Sequence, residues 1–356
     1  MPRRASLHSL ALVWAALLTG GVVAAQDVAP AGSFTLAVEG VSLPLHLTDP
    51  GYDYGPHLAE LPPLGASHVV LVVHFWQEHA RSPAPARDPQ RDLSDASLLR
   101  AIGQARKLDL EVILLPMLLL RAPGPNEWRA KLAPPEWGAW FEGYERVLLH
   151  YARLAQEAGV SALVVGSELS SSEPQLARWR GLIRRVRAAF GGGLTYGANW
   201  DHYRRVGFWN DLDWVGLSAY YELSRADAPT QEELTAAWGK VREELLFWRQ
   251  EAGIRPRLLF LELGYPSLQG CAAVPWDYTR KAPVDLETQR RCYQAFEQAW
   301  AGRAELAGVV FWEWWPPPGG PEDRSYTPRG KPALEVIKRM FAAPGLRPPG
   351  APAPPR

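Results

Sequence analysis

Two short apolar runs in this 356-residue chain each end abruptly in a glutamate. Leu258-Leu259-Phe260-Leu261 meets Glu262 and is broken at once by Gly264-Tyr265-Pro266; Ala162-Leu163-Val164-Val165-Gly166-Ser167 meets Glu168. Runs this short and this sharply bounded read as buried strands rather than helices. A carboxylate closing such a strand belongs at the rim of the sheet, because burying it unpaired is costly. One such residue could as easily be a strand-end acid paired with a helix; two of them suggest a shared site. Two facing carboxylates are what glycosidic cleavage needs: one protonates the leaving oxygen, and the other attacks or stabilises the anomeric carbon. A separation of about 5–5.5 Å goes with retention of configuration, and about 6.5–9.5 Å with inversion.

The elements that must position these residues alternate along the whole chain. Strands are expected over 38–47, 68–75, 110–115, 160–165, 193–199, 213–218, 258–262 and 308–312. Helices are expected between them, including 135–158, 173–190, 230–251 and 284–300, with Ser94 and Asp95 capping another that runs to Lys107. About eight strand–helix units with no linker predict a single α/β domain, a (β/α)8 TIM barrel. An open doubly wound sheet is the competitor, but no Gly-x-Gly-x-x-Gly follows an early strand. Glu168 then closes the fourth strand and Glu262 the seventh, on the face where the βα loops build the site. Trp76-Gln77, Asn199-Trp200, Tyr220-Tyr221 and Trp312-Glu313-Trp314 fall at the ends of other strands. Their aromatic faces suit sugar C–H surfaces, and their amides and hydroxyls suit sugar hydroxyls. Core packing is the competing account for any one of them, as it is for many of the 16 Trp and 12 Tyr.

Arg3-Arg4, the apolar stretch Leu10 to Val23 and Val23-Ala24-Ala25 read as an export signal cleaved after Ala25. An uncleaved anchor is the lesser alternative, and no later segment looks transmembrane. The expected organisation is signal 1–25, catalytic domain 26–343 and a disordered Pro-rich tail 344–356. Cleavage removes two arginines and no acid, leaving 36 basic against 38 acidic residues, a formal −2. That balance gives no reason to expect nucleic acid or an anionic membrane as partner. Export makes a disulfide between Cys271 and Cys292 reasonable, with two free thiols as the alternative. His46, His74 and His79 lack ligand spacing, so neither a metal nor another cofactor is expected. Ser170 and Ser267 lack a Gly-x-Ser-x-Gly setting, which argues against a serine hydrolase.

Across residues 36–342 the chain resembles glycoside hydrolase family 113, a family of β-mannanases in the retaining (β/α)8 clan. The resemblance is carried by Val165-Gly166-Ser167-Glu168-Leu169-Ser170, Asp213-Trp214-Val215-Gly216-Leu217-Ser218-Ala219-Tyr220 and Leu261-Glu262-Leu263-Gly264-Tyr265-Pro266-Ser267. Gly308-Val309-Val310-Phe311-Trp312-Glu313-Trp314 and Tyr326-Thr327-Pro328-Arg329-Gly330-Lys331-Pro332-Ala333 complete it. It implies that Glu168 is the acid/base, Glu262 the nucleophile and Tyr220 the hydrogen-bond partner of the nucleophile, with Trp312 the platform under the cleaved sugar. Two positions depart from the family's pattern. Ser167 stands where the clan usually has Asn, and Leu115-Pro116-Met117 stands where a Lys-Pro-His pattern is usual. The expectation is therefore an exported, monomeric retaining glycoside hydrolase of a β-linked, mannan-like carbohydrate. A sugar-binding barrel without catalysis is the alternative.

Overall fold

The computed structural model describes residues 38–342; the expected signal at 1–25 and the tail at 344–356 lie outside them. Eight parallel strands close into a barrel in sequence order, with the first pairing with both the second and the eighth. They are β1 (Val38–Pro44), β2 (His68–Gln77), β3 (Glu111–Leu120), β4 (Ala162–Ser167), β5 (Gly193–Asn199), β6 (Trp214–Ser218), β7 (Arg257–Leu263) and β8 (Leu306–Phe311). The helices are α1 (Gly55–Ala59), α2 (Asp95–Lys107), α3 (Trp137–Ala158), α4 (Leu176–Ala189), α5 (Gln231–Glu251), α6 (Leu286–Trp300) and α7 (Ala333–Ala342). This is the expected TIM barrel.

Local chemistry accounts for the helix starts. The Ser94 hydroxyl accepts the Ser97 N–H, Thr230 and Glu233 form a reciprocal capping box, and Asp285 accepts the Thr288 N–H. The helix expected from Glu173 begins only at Leu176, after a 3-10 turn over Ser170–Ser172. The Glu173 carboxylate is drawn inward to the Tyr196 hydroxyl, and the chain turns before the helix starts. The arginine face of α4 is solvated, as its pattern suggests, and pairs with neighbours through Arg180–Asp211 and Arg187–Asp213.

Two apolar layers hold the barrel. The interior is narrow and filled by Val70, Val72, Ile113, Leu115, Met117, Val164, Leu259, Leu261 and Val310, among others. Alternate strand residues face outward and pack under the helices with Trp140, Trp179, Trp209, Trp238 and Trp300, all fully buried. Much of the tryptophan excess therefore belongs to the helix–barrel layer and not to the site. Cys271 and Cys292 are buried free thiols, so the expected disulfide is not formed in this structure. No described helix is long and apolar enough to cross a membrane.

Candidate active site

Strict alternation would leave Glu262 on the wrong side of its strand. Leu259 and Leu261 face the barrel interior, while Leu258, Phe260 and Leu263 face the helices, so the next residue after Leu261 should point outward. Register slips against both neighbours of β7 change the phase, one between Leu217 and Ser218 and one between Phe260 and Leu263. The slip turns Glu262 inward. β4 carries the same device between Val164 and Ser167. Bulges of this kind re-aim side chains at active sites.

Beyond the β4 slip, Glu168 itself takes a left-handed backbone, φ +55°, and its N–H donates to the Gly197 carbonyl at 2.7 Å. Such a conformation is strained for a non-glycine residue, by ~1 kcal/mol or more, and persists only where the surroundings enforce it. Here the enforcement is visible. The Leu169 N–H donates to the Tyr196 hydroxyl at 2.9 Å, and that hydroxyl donates to Glu173 Oε1 at 2.9 Å. Burial pushes the Glu173 carboxyl up to about 7. Ser172 Oγ donates to the Leu169 carbonyl and Trp179 Nε1 to the Ser172 carbonyl, closing the turn.

The two glutamates meet at the C-terminal mouth. The Tyr220 hydroxyl donates to Glu262 Oε2 at 3.0 Å, and Ser167 Oγ makes a long 3.5 Å contact with Oε1. Burial, and then the charge of Glu168, push the Glu262 carboxyl up to about 7, against the pull of Arg129, Tyr220 and Ser167. A third carboxylate joins them. Glu313 follows β8 across a cis Trp312–Glu313 bond, and burial with the Glu262 charge pushes it up to about 8. Trp312 packs over the interior layer beside Leu119. Gly264 permits this approach of the β7 and β8 ends, since a Cβ there would lie 2.6 Å from the Trp312 carbonyl oxygen.

The basic residue of the site was not found in the sequence. Arg129, from the loop after β3, forms an ion pair with Glu168 Oε2. It lies 39 residues from its partner in a Pro-rich loop, where no periodicity marks it. His74 ends the polar inventory. Burial, His46 and Arg129 hold its imidazole at about 3, and its ring stacks on His46 at 5.1 Å.

The other expected site residues divide. Asn199 reaches toward the acidic turn, its Nδ2 3.5 Å from Ser170 Oγ. Trp200 stacks on Trp276 at 5.7 Å, and Trp76 lies half-buried under the Arg121 guanidinium. Gln77 and Trp314 do not join them. The Gln77 amide accepts from Trp140 Nε1 at 2.7 Å and donates to the His79 and Ala80 carbonyls. The Trp314 ring is buried between Arg329 and Glu60, to which its Nε1 donates at 3.1 Å. The Tyr326–Ala333 motif is a brace for the mouth. Buried Lys331 donates to Asp323, to the Ser325 carbonyl and to Ser267 Oγ just after β7. Tyr326 is thereby set against Tyr220, with 6.0 Å between ring centres. A cavity lined by His68, Glu111, Ser161 and Trp214 opens at the other end of the barrel, away from the carboxylates. No cluster of metal-ligating side chains occurs among the described residues.

The family model for glycoside hydrolase family 113 matches residues 55–330. The chain belongs to glycoside hydrolase family 113. The enzyme is similar to the solved family 113 β-mannanase AaManA from Alicyclobacillus acidocaldarius, with 29% identity and a TM-score of 0.78 over 87% of this chain and 99% of that one. A family 113 β-1,4-mannanase at 24% identity has the same TM-score, over 86% and 99%. A β-glucuronidase from Faecalibacterium prausnitzii, at 14% identity and TM-score 0.59 over 86% of this chain and 49% of that one, shares the fold alone. No curated protein matches. This family 113 enzyme is a glycoside hydrolase, which answers the alternative of a non-catalytic barrel.

Proposed function

We propose that the enzyme cleaves a β-linked, mannan-like polysaccharide or oligosaccharide with retention, with Glu262 as nucleophile and Glu168 as acid/base. The observation that carries this reading is the pair itself. One glutamate is buried and fixed by a tyrosine hydroxyl; the other sits across the mouth on a strained turn and lowers its partner's tendency to ionise. In the first step Glu168 gives its proton to the leaving oxygen. A carboxylate oxygen of Glu262 bonds to the anomeric carbon as the glycosidic bond breaks. In the second, water attacks that carbon and passes its proton to Glu168, and Glu262 leaves as carboxylate. The Tyr220 hydrogen bond steadies Glu262 as its charge returns. Trp312 and half-buried Trp76 would carry sugar faces, with Asn199, Trp200 and Glu313 nearby for hydroxyls. The family 113 likeness to AaManA, a β-mannanase, supports the mannan-like substrate. Leu115 and Met117, which face the interior below the mouth, leave the β3 wall apolar, so sugar contacts there rest on shape.

Proton NMR of the first product from manno-oligosaccharides tests the mechanism: a β-anomer is expected, and an α-anomer overturns it. We further take residues 1–25 as a cleaved signal and Cys271–Cys292 as able to close a disulfide after export. A mature N-terminus other than Gln26, or two titratable thiols in the secreted protein, would overturn these two readings respectively.

A further inference from the structure

Three acidic side chains crowd one buried mouth, and burial works against ionising Glu262 and Glu313. Cleavage by two carboxylates nevertheless requires Glu262 ionised while Glu168 holds its proton. A fixed positive charge is what such a cluster lacks, and the loop after β3 delivers one. We propose that Arg129 is the fixed counter-charge and positioning residue of the catalytic glutamates, holding the Glu168 carboxyl in place and setting the pH range in which the pair works. The inference rests on the roles given to Glu168 and Glu262 above.

Four observations carry it. Arg129 pairs with Glu168 Oε2, and both side chains are largely withdrawn from solvent, at 16% and 8% exposure. Water therefore screens the pair little. Among the described residues Glu168 is the one hydrogen-bond partner of the Arg129 side chain, whose buried Nε has none and whose guanidinium otherwise lies over the Trp128 ring at 5.8 Å. The loop that delivers it is anchored at several points. Glu127 Oε2 accepts the Gly124 N–H at 3.1 Å, Ala133 N–H donates to the Ala80 carbonyl at 2.8 Å, and Arg121 pairs with Asp88 at 3.0 Å. Finally, its 3-10 turn (Arg129–Lys131) packs on the Ser170–Ser172 turn that aims Glu168.

Among the described residues the charged and titratable groups around this pair are His74 from β2, Tyr220 beyond β6 and Glu262 from β7, with Glu313 beyond β8 and Tyr326 acting on it through Glu262. Burial holds His74 neutral, and Tyr220 keeps its proton, so neither supplies a positive charge. A guanidinium is never deprotonated at working pH. Arg129 therefore takes no part in proton transfer; it biases where the protons of the dyad reside. That basic charge reaches the mouth from a loop, in a chain whose third strand presents Leu115 and Met117 to the interior.

The test compares Arg129→Met with Arg129→Lys by the pH dependence of kcat/KM on dinitrophenyl β-mannobioside. Removing a positive charge makes every neighbouring carboxylate hold its proton to higher pH. Both limbs of the bell should thus move up together, by about one pH unit, since an opposite charge at this range shifts such groups by ~1–3. At the acid foot the Met variant should lose ~10-fold more activity than at its own optimum. Arg129→Lys should lower kcat yet leave the bell in place, because the charge stays while the planar fork is lost. A bell that stays put in the Met variant while activity falls would show a merely structural role. Should the Met variant be inactive, a titration of 13C-labelled glutamate carboxyls decides instead. The Glu262 midpoint should rise above its wild-type position, and an unchanged midpoint overturns the proposal. An α-anomeric first product from the wild type would remove the retaining mechanism and leave this titration standing.

Discussion

Replacing Glu313 with glutamine should stabilise the folded enzyme, and only where a carboxylate would ionise in the unfolded chain. In the folded protein Glu313 is pushed from its ordinary 4.5 to about 8, by burial first and by the Glu262 charge second. A carboxyl raised in this way binds a proton more tightly folded than unfolded, so its presence costs stability as pH rises. The penalty is absent below about pH 4.5, grows between 4.5 and 8, and is complete above 8. The full displacement corresponds to at most about 5 kcal/mol. Glu313 is only partly withdrawn from solvent, and water at its carboxyl reduces the figure to ~2 kcal/mol. Glutamine keeps the shape and removes the ionisation. Thermal unfolding of wild type and Glu313→Gln from pH 4 to 9 reads the difference as ~4 °C in Tm at pH 8.5, narrowing to none near pH 4. A gain that is the same at both pH values, or no gain at pH 8.5, would refute the electrostatic reasoning. Glu262→Gln in the same background should reduce the benefit, because part of the penalty on Glu313 is the charge of Glu262.

Glu262→Ala should abolish turnover, whereas Glu168→Ala should retain more activity on dinitrophenyl than on alkyl mannosides, because a good leaving group needs no proton; equal losses on both substrates would contradict the acid role. Tyr220→Phe removes the 3.0 Å hydrogen bond to Glu262 and should lower kcat/KM by ~10–100-fold while moving its acid limb upward, since the lost donor favoured the carboxylate; steady-state kinetics across pH would show an unmoved limb if the hydroxyl were idle. Gln77→Ala leaves Trp140 Nε1 without its buried acceptor and should cost ~1–3 kcal/mol in urea unfolding with KM unchanged, the reverse of what a sugar ligand would give.

Strand number and order were legible because parallel barrel strands are buried on both faces and read as unbroken apolar runs, each closed by a turn. The same closure marked Glu168 and Glu262, since a charged residue ending such a run must lie at the rim. What a run cannot show is its phase at the last residue. Gln77 and Trp314 hold the same kind of position as Trp76 and Trp312, one or two residues away, yet they turn into the helix layer, where Trp140 and Glu60 receive them. β2 keeps an unbroken register against β3, so plain alternation turns Gln77 away from the mouth, whereas Glu168 and Glu262 enter it through register slips that depend on neighbouring strands distant in sequence.

Arg129 was hidden for a related reason. A loop residue has no periodicity to betray its direction, and the anchors that aim this one lie on the β2 loop, roughly fifty residues upstream. The comparison of the two kinds of residue carries a physical point about how the site is built. The carboxylates come from strands, where bulges fix them against a close-packed interior. The compensating charge comes from a loop, where its distance from them can change without disturbing the barrel. In such an arrangement, substitutions in the 121–136 loop can move the pH range of the reaction while the positions of Glu168 and Glu262 stay fixed by β4 and β7.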